Sequence, residues 1–177
     1  MGKILAFAGS NSSTSINYKL VKYTVALVQG HETQLLNMAN FPFPMYSEDY
    51  EKENGFSNSL IELKNDISNA DGLIIAVNEH NSNISSYFKN LIDWLSRLER
   101  SFIADKKILL LTTSPGKRGG ISAHDISKDI LTRFGADIIS SFSLPSFYDN
   151  FNDEKGISES ELLKAYQEAL DSFLAKI

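Results

Sequence analysis

Hydroxyl side chains crowd one short stretch of the chain: Ser10, Ser12, Ser13, Thr14 and Ser15 follow Gly9, with Asn11, Ile16 and Asn17 among and after them. The apolar run from Ile4 to Ala8 precedes this stretch and a helical pattern follows it, so a buried strand delivers the hydroxyls onto a helix N-terminus. The first turn of a helix has backbone N–H groups without intrahelical partners and carries about half a positive charge, which makes it a receptor for phosphate. The hydroxyls add further donors. An ordinary N-cap at Ser15 or Asn17 uses the same residue types, and the loop alone leaves both readings open.

Two more segments have a composition suited to ligand binding. Asn78-Glu79-His80-Asn81-Ser82-Asn83-Ile84-Ser85-Ser86 offers amides, one imidazole and bendable backbone, which suits a flat heteroaromatic ring needing a stacking partner and hydrogen bonds along one edge. A polar turn capping the following helix is the plainer alternative. Ser114-Pro115-Gly116-Lys117-Arg118-Gly119-Gly120 is rich in glycine, which permits close backbone approach to a planar ligand. Lys117 and Arg118 could attract a second phosphorylated molecule, but surface cations of a solvated turn are the better reading.

The elements that must carry these loops alternate along the chain. Strands are expected at Lys3-Ala8, Glu32-Asn37, Gly72-Val77, Lys107-Thr113 and Asp137-Leu144; the third and fourth are almost continuously apolar, as in strands buried on both faces. Helices are expected at Tyr18 to Gln29 with Gly30 as its C′ residue, Ser57 to Asn69, Ser86 to Arg100, His124 to Phe134 and Ser158 to Lys176. Such β-α alternation calls for an α/β fold: a doubly wound five-stranded parallel sheet, helices on both faces, in the flavodoxin-like order 2-1-3-4-5. Ligands in such sheets bind beyond the carboxyl ends of the strands where the order reverses, and the three unusual loops all fall there. Met38 to Asn54 is the longest irregular piece, with Phe43, Met45 and Tyr46 as candidates for a pocket rim, although Phe43 and Met45 fit a core equally well.

Composition narrows the classes. A chain of 177 residues with 42% hydrophobic content reads as one domain, residues 1–177. There is no cysteine, which removes thiolate catalysis and cysteine-ligated metals, and the three histidines have no metal-ligand spacing. A net charge of −5 without a basic block argues against nucleic acid or an anionic membrane as partner. With no apolar run of about 20 residues and no leader layout, a cytoplasmic location is expected. No nucleotide-triphosphatase loop, G-x-G-x-x-G after the first strand or nucleophile elbow occurs. Ser114, His124 and Asp125 make a poor hydrolase group, because adjacent residues on a helix are expected to point different ways.

Gly9-Ser10 with Ser15 and Asn17, Glu79-His80-Asn81, Phe88-Lys89-Asn90-Leu91-Ile92-Asp93-Trp94 and Gly116 with Gly119-Gly120 occur in the order of a known pattern. Together they resemble the NAD(P)H-dependent FMN reductase family, which includes quinone, azo-dye and chromate reductases. Its pattern is G-S-x-R-x-x-S-x-N, P-E-Y-N, L-K-N-A-I-D-W and a glycine-rich third loop. The resemblance implies that Ser10, Ser15 and Asn17 bind the FMN phosphate, with Gly9, Ser12, Thr14 and Ile16 in the same loop. It also implies that Asn78, Glu79, His80, Asn81 and Ser82 border the isoalloxazine, and that Ser114, Gly116 and Gly119 approach it from the other side. Three positions depart from the pattern: Ser12 replaces the arginine, Asn78 the proline and His80 the tyrosine. Ser12, Ser13 and Thr14 are expected to compensate for the arginine with hydroxyl donors.

The resemblance further implies FMN as cofactor, NADPH or NADH as hydride donor, a quinone-like small-molecule acceptor and a homodimer or homotetramer. In that reading the flavin carries the chemistry and no side-chain acid or base is required. Backbone amides of Asn81-Ser82 or Gly116-Lys117 near the pyrimidine edge would favour the anionic reduced ring. Phe88, Leu91, Ile92 and Leu95 read as core, Lys89 and Asp93 as a surface pair, and Trp94 is not assigned to the flavin. A flavodoxin-like FMN carrier or sensor without a nicotinamide site is the rival reading, and a flavodoxin fold that has lost its ligand is a third.

Overall fold

The computed structural model describes residues 1–177. Its sheet has five parallel strands: β1 (Lys3–Ala8), β2 (Glu32–Leu36), β3 (Gly72–Val77), β6 (Lys107–Thr113) and β7 (Asp137–Leu144), arranged β2-β1-β3-β6-β7. Counted among the long strands this is the expected order 2-1-3-4-5, with the reversal between β1 and β3. Four of the five strands have the bounds expected from their apolar runs. β2 stops one residue earlier, at Leu36, because the Asn37 side chain accepts from the Ala39 N–H and starts a short 3-10 turn, Met38–Asn40.

Strand alternation divides the core in two. Leu5, Phe7, Leu73, Ile75, Val77, Ile108 and Leu110 face α3 (Asn58–Asn69), α4 (Ser86–Leu98) and α5 (Ile121–Arg133). Ile4, Ala6, Ala8, Ile74, Ala76, Leu109 and Leu111 face α1 (Ile16–Leu27) and the C-terminal helix Ser160–Leu174. Both layers bury their strands almost completely, which is why β3 and β6 carry apolar residues on both faces.

Several helix ends differ from the sequence reading. α1 begins at Ile16 because Ser15 Oγ accepts the Tyr18 N–H at 3.2 Å; it ends at Leu27, where Val28 turns extended. Gly30, at φ 76°, therefore belongs to the turn into β2 and is not the C′ residue of α1. α5 starts three residues before His124, at Ile121. The stretch Met38 to Asn54 is not irregular throughout: its acidic run forms α2 (Glu48–Asn54), capped by Ser47 and with Glu48, Asp49 and Glu51 in the first turn. Acidic side chains there complement the helix dipole. A hairpin of β4 (Glu79–His80) and β5 (Asn83–Ile84) was also too short for periodicity to register. No helix is long and apolar enough to cross a membrane.

Candidate active site

The carboxyl ends of β1, β3 and β6 open onto a cleft of about 280 Å³ lined by Ser10, Ser12, Ser15, Ile16 and Asn17, by Asn78, Glu79 and His80, and by Thr113, Ser114 and Pro115. Three segments distant in sequence thus meet at the reversal of strand order. Of the fifteen candidate residues, nine line this cleft: the five from the first loop, Asn78 to His80, and Ser114. Gly9, Thr14, Asn81, Ser82, Gly116 and Gly119 do not. Thr113 and Pro115 were missed, although the polar Thr112-Thr113 ending of an apolar strand is a signal for its open end.

The first loop is held by its own hydroxyls. Ser10 Oγ accepts the Ser12 N–H, Ser12 Oγ accepts the Thr14 N–H, and Ser12 and Thr14 hydroxyls lie 3.3 Å apart. Thr14 therefore braces the loop and stays outside the cleft. The N–H groups of Ile16 and Asn17 have no partner within the protein, so the α1 N-terminus presents free donors to the cleft. Its lining has no Lys or Arg, which leaves the helix N-terminus and hydroxyls to meet an anion.

Two residues expected to contact a phosphate or ring have side chains committed elsewhere. Asn17 is 2% exposed, and its amide clips the end of β6: Nδ2 donates to Thr113 O at 3.1 Å and Oδ1 accepts from Thr113 N at 3.0 Å. Only the backbone of Asn17 is free to donate. Glu79 Oε2 accepts the N–H groups of Ser122 and Ala123 at 2.9 and 3.1 Å. α5 has no side-chain cap of its own, since Gly120 at its N-cap carries no side-chain acceptor, and Glu79 supplies the missing one.

The glycines and the hairpin turn likewise answer to the protein's own packing. A Cβ on Gly9 would lie 2.7 Å from Phe88 Cγ, and Gly9 O accepts the Ser85 hydroxyl at 2.9 Å. Gly119, at φ 61°, would place a Cβ 3.0 Å from Leu144 C and Pro145 N, so its backbone approaches the end of β7 closely. Gly116 has open space beside it. Asn81 and Ser82, at φ 52° and 58°, are the two central residues of the β4–β5 turn, a conformation that fits the twist of a two-residue hairpin. Arg118 donates to Ser122 Oγ at 3.1 Å, in keeping with a surface role.

Asn78 lines the cleft with an unsatisfied amide: Nδ2 lies 3.2 Å from His80 Nε2, while Oδ1 is buried without a hydrogen bond. His80 also lines a second compartment of about 160 Å³, formed with Asn11, Phe43, Met45, Ser85, Ser86, Tyr87 and Asn90. Phe43 and Met45 thus line this second compartment and not the cleft itself, and Phe43 also packs against the core. Tyr46 instead packs edge-on to Trp94 and donates its hydroxyl to Glu51 Oε2 at 2.9 Å. Glu51 also pairs with Arg97, whose guanidinium holds the carboxyl below the usual glutamate range, and the Glu51 hydrogen bond raises the Tyr46 phenol. Burial pushes the Tyr87 phenol well above its ordinary value, so it is a hydrogen-bond donor and not a titrating group.

The hydrolase arrangement fails. His124 Nδ1 and Asp125 Oδ1 do meet, at 2.9 Å, contrary to the expectation for adjacent helix residues. Ser114 Oγ nevertheless donates to Gly116 O and does not join them. Lys89 and Asp93 pair on the surface as expected, and Phe88, Leu91, Ile92 and Leu95 are buried core.

This architecture has close counterparts. FerB, a flavoenzyme NAD(P)H:(acceptor) oxidoreductase of Paracoccus denitrificans, superposes with a TM-score of 0.78 at 25% identity, covering 99% of this chain and 96% of that one. Oxidised flavodoxin 1 of Bacillus cereus has the same fold at a TM-score of 0.61 and 14% identity, over 99% of this chain and 98% of that one. Among sequences, the quinone reductase of Escherichia coli K12 is 38% identical over 88 residues, 50% of this chain and 47% of that protein, so the chain spans about half the length of that relative. An NAD(P)H-dependent FMN reductase of Pseudomonas aeruginosa is 30% identical over 123 residues, 69% of this chain and 65% of that protein. The family model described as NADPH-dependent FMN reductase matches residues 2–149, which include all three loops of the cleft. By that match the chain belongs to the NADPH-dependent FMN reductase family.

Proposed function

We propose that the protein binds FMN in the cleft between β1, β3 and β6 and transfers reducing equivalents from NADPH or NADH to a quinone-like small-molecule acceptor. One observation carries the reading: three loops converge on a cleft whose floor is a helix N-terminus with the free Ile16 and Asn17 N–H groups and the hydroxyls of Ser10, Ser12 and Ser15. That donor set fits a phosphate monoester without a cationic side chain. The Ser12 hydroxyl and backbone donors stand where the family pattern has arginine.

FMN, when bound, supplies the redox chemistry, accepting a hydride and releasing electrons to the acceptor. The chain's own residues bind and orient. Ser10, Ser12, Ser15 and the α1 N-terminus hold the phosphate, while Asn78 to His80 and Thr113 to Pro115 flank the ring. The orphaned Asn78 amide oxygen marks a polar group that gains a partner if the ring edge presents a donor. Glu79 acts indirectly, by fixing the start of α5 and thus the glycine-rich loop before it.

A visible absorption spectrum tests this. Protein reconstituted with FMN should be yellow, should bleach on addition of NADPH or NADH under nitrogen, and should regain colour with a quinone. Colour that bleaches with dithionite but not with either nicotinamide would favour the electron-carrier reading, and failure to retain FMN would overturn the proposal.

A further inference from the structure

α4 has two working faces. Phe88, Leu91, Ile92 and Leu95 are buried against the sheet, whereas Tyr87, Asn90, Trp94 and Arg97 follow one another at helical spacing along a second stripe. Every residue of that second stripe grips the segment between β2 and α2 or α2 itself. Tyr87 Oη donates to Phe41 O at 2.8 Å. Asn90, 4% exposed, accepts from Tyr46 N at 2.7 Å and donates to Pro44 O at 2.9 Å. Trp94 Nε1 donates to the same Pro44 carbonyl at 2.8 Å, and Arg97 pairs with Glu51, the partner of the Tyr46 hydroxyl.

Pro44 and Tyr46 are therefore fixed on either side of Met45, which is 69% exposed and lines the second compartment together with Phe43. Phe43 is in turn stacked on Phe41, whose carbonyl Tyr87 holds. The compartment has an apolar side, Phe43 and Met45, and a polar side on which Asn11, His80 and Ser86 offer donors for carbonyl oxygens, the Ser85 hydroxyl being spent on Gly9 O. His80 lines both it and the cleft, so one side chain separates the two. A polarizable thioether beside an aromatic ring suits a flat apolar molecule.

We propose that the Tyr87-Asn90-Trp94 stripe sets acceptor recognition: it clamps the Phe41–Tyr46 strap so that Phe43 and Met45 form the wall against which a planar quinone packs. Trp94, which lies outside the compartment, is a positioning residue in this scheme, acting on the acceptor through the strap; Asn90 acts through the strap and also lines the compartment. The inference rests on the proposed function for what occupies the adjoining cleft, but not for the strap's own geometry.

The test uses the FMN-loaded protein in the absence of nicotinamide, with menadione as the probe quinone and calorimetry as the readout. Asn90→Ala removes two hydrogen bonds to the strap and should weaken menadione binding about tenfold while leaving the FMN dissociation constant within about twofold. Trp94→Phe keeps the ring, removes only the indole donor and should shift menadione affinity in the same direction by a smaller factor; it carries the test if Asn90→Ala does not fold. Acrylamide quenching of Trp94, the single tryptophan, should increase in Asn90→Ala as the strap loosens. A lowered melting temperature with unchanged menadione affinity in both variants would overturn the inference, because the stripe would then serve only the fold. Wild-type protein that holds FMN but not menadione would also overturn it while leaving the cofactor reading intact. If FMN itself does not bind, the proposed function fails, and the same menadione titrations on the apoprotein decide the inference separately.

Discussion

Asn17 is the position where binding and structural roles lead to opposite results. If its amide served a ligand, Asn17→Ala would lower FMN affinity and leave the apoprotein intact. The structure instead joins both amide atoms to the Thr113 backbone, in a place where Asn17 is 2% exposed and Thr113 1% exposed. Truncation leaves a buried N–H and a buried C=O unpaired, each costing about 1–3 kcal/mol. Relaxation of β6 and entry of water recover part of this, so a loss of about 3 kcal/mol is expected for the pair. For a domain of this size each kcal/mol moves the melting temperature about 2–4 °C, which gives a fall of about 6–12 °C without any ligand. Differential scanning calorimetry of stripped wild type and Asn17→Ala measures it, with FMN titrated into each afterwards. A melting temperature within about 2 °C of wild type together with a large loss of FMN affinity would refute the clip and restore the side chain as a ligand.

Other substitutions separate the remaining roles. Ser10→Ala with Ser15→Ala should weaken FMN binding severalfold or more, measured by fluorescence titration, and the lost Ser15 cap should cost about 1 kcal/mol of stability; unchanged affinity would mean the phosphate lies elsewhere. Gly9→Ala drives a methyl group into the Phe88 ring and should destabilise by about 1–3 kcal/mol in chemical denaturation, an overpacking effect that a second change, Phe88→Leu, should partly relieve. Glu51 has a lowered pKa through Arg97 and the Tyr46 hydroxyl, so its stabilisation is fully present above the ordinary glutamate value and is lost as pH falls through the lowered one. The melting-temperature advantage of wild type over Glu51→Gln should accordingly shrink on acidification toward pH ~3. An advantage that stays constant across that range would remove Glu51 titration from the account.

The strands were legible because runs such as Leu73 to Val77 and Ile108 to Leu111 must be apolar on both faces, and such runs end sharply where the backbone leaves the sheet. The order of strands and the meeting of the three loops then followed from handedness and the reversal rule. What the residue pattern left hidden was the partner of each polar group. Glu79 reads as a ring neighbour, and only the structure adds that its carboxylate caps α5; Asn17 reads as a phosphate ligand, and only the structure adds that its side-chain amide is paired with the Thr113 backbone. Trp94 read as neither core nor ligand, since its function lies with Pro44, 50 residues earlier. Periodicity reports which face of an element leaves water. Only the packed chain decides which buried donor meets which acceptor, because those pairs span 43 to 96 residues and depend on how helices settle on the sheet.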